Sequence, residues 1–168
     1  KKLRLSAIAY FTAEASGISG TFALTPALWM LLGLARIERA LGRYDEALLH
    51  FERLASLGLG GSLDHGPLVA TADQIAEIQS RFPESLARLR AVAIAEALET
   101  LVHAGRYDLA ITAARARRND DPVWLGAFRC ETIATALGRL GLVRETLVYL
   151  ASVLAQRSEE RRVGKECL

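Results

Sequence analysis

A chain of 168 residues with 51% hydrophobic content is long enough to bury a core, and its alanine- and leucine-rich, aromatic-poor mix favours close-packed helices over strands. The formal net charge of +2, with Lys and Arg interspersed among Asp and Glu, lacks the basic stripe that a nucleic-acid footprint requires. Two cysteines, Cys130 and Cys167, make no disulfide framework, which fits a reducing compartment and a cytoplasmic location.

In chain order, the sequence opens on Lys1 without a methionine, which reads as a fragment or excised domain. Residues 3–16 read as an amphipathic helix ended by Gly17 and Gly20. Their apolar run is short and is broken by Glu14, so a signal peptide is the weaker reading. Phe22 to Ala35 is the most apolar window, yet it is too short to span a bilayer and contains Pro26. Thr25-Pro26 is a helix start signal, a cap followed by proline at the first helical position. From there Met30, Leu31, Leu34, Ile37 and Leu41 recur at three and four, which predicts a helix to about Leu41. Gly42-Arg43-Tyr44-Asp45-Glu46-Ala47 comes next. Here a glycine supplies a left-handed residue that ends a helix, and Asp45 suits the next helix as a cap or as a charge favourable to its dipole. That next helix, from about Asp45 to Leu57, places Ala47, Leu48, Phe51 and Leu54 on one side. Residues 58–66, with four glycines in nine, predict a loop. It lacks the lysine and preceding strand of a phosphate loop, and His65 beside Asp64 reads as a solvated loop histidine.

Further on, Ala72 to Phe82 predicts a shorter helix and residues 84–104 a long one. Leu86, Leu89, Val92, Ala93, Ala97, Leu98 and Leu101 are its packing residues. Gly105-Arg106-Tyr107-Asp108-Leu109-Ala110 then repeats the earlier hexapeptide with one position changed, and a helix over about 108–118 comes after it. Asn119-Asp120-Asp121-Pro122 predicts a turn, with Asp121 capping a helix that opens at Pro122 and reaches about Leu140. In that helix Cys130, Ile133, Ala134 and Leu137 occupy packing positions. Gly141 opens a degenerate third corner, and the last helix is predicted from Val143 to Gln156. Residues 157–167 resemble one reading frame of a translated sequencing adapter, so residues 157–168 are read as a non-native tail.

These corners resemble the second half of the tetratricopeptide repeat, Gly-x-Tyr-x-x-Ala-x-x-x-aromatic with a later proline. Gly42, Tyr44, Ala47 and Phe51 match in the first copy, and Gly105, Tyr107, Ala110 and Pro122 in the second. In the third, Gly141 matches and Val143, Thr146 and Leu150 stand in for the rest. The resemblance implies an all-α fold of antiparallel helical hairpins stacked as a short α-solenoid. One domain would span 1–156, with hairpins at about 26–57, 84–118 and 122–156. It also implies a concave groove lined by the first helix of each hairpin: Trp29, Leu32, Arg36 and Arg39; then Val92, Glu96, Glu99 and His103; then Phe128, Glu131, Thr135 and Arg139.

No catalytic or metal-binding pattern competes with this reading. His50, His65, His103 and Cys130 share no ligand spacing, Cys130 lies in an apolar face, and Glu96 with Glu99 reads as a solvated or groove-lining pair. The sequence therefore predicts a non-enzymatic scaffold without a cofactor, binding a protein or peptide and neither nucleic acid nor membrane. Its alternatives are a self-associating repeat region of a larger bacterial regulator, or a fragment of a helical enzyme.

Overall fold

The computed structural model of the protein describes the backbone of residues 21–57, 63–65, 68–116 and 121–166, and the side chains of residues 27–57, 71–116 and 121–156. The helix expected over 3–16, most of the glycine-rich loop, and Asn119-Asp120 lie outside these. The described chain is helical. Its helices are α1 (Thr21–Ala40), α2 (Tyr44–Ser56), α3 (Ala72–Arg81), α4 (Pro83–His103), α5 (Tyr107–Arg115), α6 (Val123–Arg139) and α7 (Val143–Glu166). Between α2 and α3 runs a short antiparallel ribbon, β1 (Leu63–His65) and β2 (Leu68–Ala70), pairing Leu63 with Ala70, Asp64 with Val69 and His65 with Leu68. The sequence reads this region as loop because three residues are too few for an alternating pattern to register. Among the described residues no helix is long and apolar enough to cross a membrane.

Three corners share one backbone geometry. Gly42, Gly105 and Gly141 have φ of 75°, 72° and 75°, the left-handed region that glycine enters without a Cβ penalty. At the first corner the Gly42 N–H donates to the Arg39 carbonyl at 2.9 Å and the Arg43 N–H to the Glu38 carbonyl at 2.9 Å. The equivalent bonds run from Gly105 to Val102 and Arg106 to Leu101, and from Gly141 to Gly138 and Leu142 to Leu137. This double closure satisfies carbonyls that a helix end leaves orphaned. The residue after each glycine then accepts the first bond of the next helix: Arg43 from Ala47, Arg106 from Ala110, and Leu142 from Thr146. Neither Asp45 nor Asp108 is a cap. The N-cap positions are Arg43 and Arg106, which make no side-chain cap bond, and the aspartates sit one residue inside the first turn as charges favourable to the helix dipole.

Two compact units divide the chain, Lys1–Thr100 and Leu101–Leu168, the boundary falling near the C-terminal end of α4. This is a finer division than the single domain expected over 1–156. In the first unit Leu28, Leu31, Leu32 and Ala35 of α1 join one apolar cluster with Ala47, Phe51 and Leu54 of α2. Ile75 and Ile78 of α3 and Leu86, Leu89 and Ala93 of α4 complete it. Burial of a side chain the size of Leu or Phe contributes about 1.5–3 kcal/mol, so this cluster is what holds the four helices together. The buried stripe of α1 is rotated from the one the sequence suggests, for Ile37 and Leu41 are 42% and 62% exposed while Glu38 is buried. In the second unit Ala110, Ile111 and Ala114 of α5 are buried, as are Leu125, Ile133, Ala136 and Leu137 of α6.

Several helix limits differ from expectation, among them the end of α5 at Arg115 rather than about residue 118. α1 begins at Thr21, about a turn before Pro26, so the proline lies inside the helix at the cost of one N–H bond. Pro122, not Asp121, is the N-cap of α6, because the Asp121 carboxylate is taken by Arg129. α7 continues through Glu166, past the end expected at Gln156 and into the adapter-like stretch. A run rich in Arg, Glu and Lys is a good helix former whatever its origin.

Candidate functional site

Two helices of the first unit bring four of the expected groove residues together. Arg36 and Arg39 lie three apart on α1, and Glu96 and Glu99 lie three apart on α4, so each pair occupies one helix face. The Arg36 Nε–H donates to Glu96 Oε1 at 2.6 Å, across a sequence separation of 60. Arg39 reaches both carboxylates, 2.9 Å to Glu96 Oε2 and 2.6 Å to Glu99 Oε2. The Arg36 side chain is 50% exposed and that of Glu99 43%, whereas Glu96 at 12% is the inner carboxylate. The contacts that involve the exposed members, Arg36–Glu96 and Arg39–Glu99, contribute about 0.2–1 kcal/mol each, and salt screens them. Their outer members can therefore exchange an internal partner for an incoming carboxylate or ammonium at small cost.

The other expected groove residues are placed differently. Trp29 and Val92 are half-buried and pack against the first unit's apolar cluster. Leu32 is 1% exposed, which corrects its assignment to a binding face, since the α1 stripe carries it into the core. His103 is exposed at the end of α4. On α6, Glu131, Thr135 and Arg139 are exposed and Phe128 is half-buried. At the first two corners Ala47, Phe51 and Ala110 are fully buried, and Tyr44 and Tyr107 are half-buried. In the third corner Thr146 is half-buried and Leu150 is 40% exposed.

Two buried polar constellations escape a sequence reading. Glu38 of α1 is 1% exposed and His50 of α2 is 5% exposed, with His50 Nε2 2.9 Å from Glu38 Oε2. At that burial neither group meets a substrate, and the pair fastens the first hairpin from inside. A signal was present: Glu38 continues the stripe of Leu28, Leu31 and Ala35 at helical spacing. Second, Arg129 of α6 is 3% exposed; its Nη1–H donates to the Ala113 carbonyl at 2.9 Å, and Nη2 lies 3.0 Å from Asp121 Oδ2. This guanidinium ties the last turn of α5 to the segment that enters α6, and its charge suits a helix C-terminus. Nothing in the local sequence announces that tie, because its partners lie on other segments, Asp121 eight positions away and Ala113 sixteen.

Among the described residues no group of three or more His, Cys, Asp or Glu is placed to hold a metal ion. Cys130 is a half-buried free thiol. Asp64 and His65 are successive residues of β1, paired with Val69 and Leu68 rather than lying in the loop expected there. No protein-family model, curated protein or solved structure matches the chain. Among the described residues its class is that of a helical protein with repeated glycine corners and one short β-ribbon.

Proposed function

We propose that the chain is a non-enzymatic, tetratricopeptide-like interaction module, stacked as a short α-solenoid, that binds a protein or peptide segment of mixed charge. The supporting observation is the alignment of α1 with α4 through Arg36, Arg39, Glu96 and Glu99. In the repeat reading these are the first helices of two successive hairpins, and their charges would then meet at the face expected to take a ligand. Exposed Arg36 and Glu99 are the anchors, because arginine and its paired carboxylate can each trade an internal contact for an external one.

A random peptide display library selected on the whole chain tests this. Peptides enriched on the wild type should bind the Arg36→Ala and Glu99→Ala variants at least about tenfold more weakly, the worth of one charge-assisted bond. The unfolding midpoint should scarcely move, since both side chains are substantially exposed. Equal binding to all three proteins would remove this face from the function.

One observation favours self-association as a second reading. Val143, Leu147, Leu150 and Leu154 of α7 are 64%, 63%, 40% and 67% exposed, and their spacing of four, three and four makes a narrow apolar seam. Light scattering coupled to size exclusion should then report a concentration-dependent dimer that Leu147→Glu abolishes. A monomer throughout the accessible range would dismiss this reading.

A further inference from the structure

The second unit carries a groove with a volume of about 470 Å³, formed by α5, α6 and α7. Its floor is Leu137 of α6, 8% exposed, with half-buried Tyr149 and the aliphatic Val148 of α7 beside it. Arg115, the last residue of α5, and Arg144, in the first turn of α7, both line it and are exposed. Unlike Arg36, Arg39, Arg81 and Arg129, neither has an ion pair or side-chain hydrogen bond among the described residues. Glu145 also lines the groove, leaving one cation in excess, and Ser152 adds a hydroxyl.

We infer that this groove is a second binding site, separate from the Arg36–Glu99 face, for a peptide segment carrying a single carboxylate flanked by aliphatic side chains. Charge complementarity carries the argument. Arginines from two different helices line a groove whose buried member is Leu137, an arrangement that suits a carboxylate held by an arginine fork while its neighbours cover Leu137 and Val148. Glu145 sets the selectivity, because it repels a run of acids and leaves room for one. The site also uses a different side of α6. Leu137 is two residues beyond Thr135, about 200° around the helix, so a ligand here does not touch the face that carries Glu131 and Thr135.

An array of immobilised hexapeptides tests the inference, each with one Asp or Glu flanked by Leu, Ile or Val, beside twins carrying Asn or Gln instead. The whole chain should bind acidic members at least about tenfold more tightly than their amide twins, and Arg115→Gln or Arg144→Gln should erase that preference. Arg36→Ala should leave it intact, which distinguishes this site from the proposed groove. Glu145→Gln should extend binding to peptides with two adjacent acids. Because the three substituted side chains are exposed, thermal unfolding should match the wild type. Equal binding of acid and amide twins, or an acid preference that survives both arginine substitutions, overturns the inference. Tighter, arginine-dependent binding of decanoate than of any peptide overturns the assignment of the occupant.

Discussion

Single residues set the corners. Gly42 has φ of 75° and open space where a Cβ would point, so Gly42→Ala costs only the backbone strain of the left-handed region, about 1–2 kcal/mol. Gly33 also has open space around its Cβ position but lies inside α1 with no positive φ. There the same substitution should stabilise by about 0.5–1 kcal/mol, because alanine loses less freedom on folding. Urea titrations of the two variants should move in opposite directions; movement in the same direction would contradict this account of the corner. The buried Glu38–His50 pair makes a second case. His50→Ala leaves a carboxylate that is 1% exposed without its imidazole and should cost about 3–5 kcal/mol, the range for breaking a buried pair. Replacing both residues by leucine should recover most of that loss, since two apolar groups of similar volume need no mutual charge.

Elements show what a sequence reveals and what it hides. The long helices α2, α4 and α6 and all three corners could be read directly, because glycine, the polar corner residues and the period of the apolar positions point to the same answer. Where polar residues turn inward, that agreement fails. Glu38 continues the buried α1 stripe while Ile37 and Leu41 stay in solvent, and the helical spacing that hints at this does not reveal that His50 is its partner. The capping box at α3, in which the Gln74 N–H donates to Thr71 Oγ1 and the Thr71 N–H to Gln74 Oε1, was present in the letters Thr-x-x-Gln and is easily passed over beside a glycine-rich segment. Asp121 was legible as a turn residue, but its partner is eight positions away on the next helix. That tie has a measurable weight. Arg129→Met removes the cation from Asp121 and the donor from the Ala113 carbonyl, and should lower stability by about 3–5 kcal/mol in urea unfolding. Arg129→Lys should rescue only part of this, because one ammonium cannot reproduce a two-pronged guanidinium.

At the scale of the whole molecule, the charges of the candidate face were legible one by one and their pairing was not. Arg36 and Glu96 are 60 positions apart, and only the side-by-side placement of α1 and α4 makes them neighbours. If the outer members are a recognition surface rather than a brace, Arg36→Ala with Glu99→Ala, which keeps the inner Arg39–Glu96 contact, should cost only about 1 kcal/mol at low ionic strength, and less in 1 M salt. A loss several times larger would mark the network as structural and count against its use by a ligand.

The economy of the corners also governs how such a chain can change its length. Arg43, Arg106 and Leu142 each finish one helix and begin the next, so there is no slack between the two rods. Adding one amino acid there would turn everything downstream by about 100° and point its apolar side at water. The hairpin of Leu63–His65 and Leu68–Ala70 imposes no such phase. Insertions and deletions should therefore be absorbed around that hairpin and rejected at the three glycines.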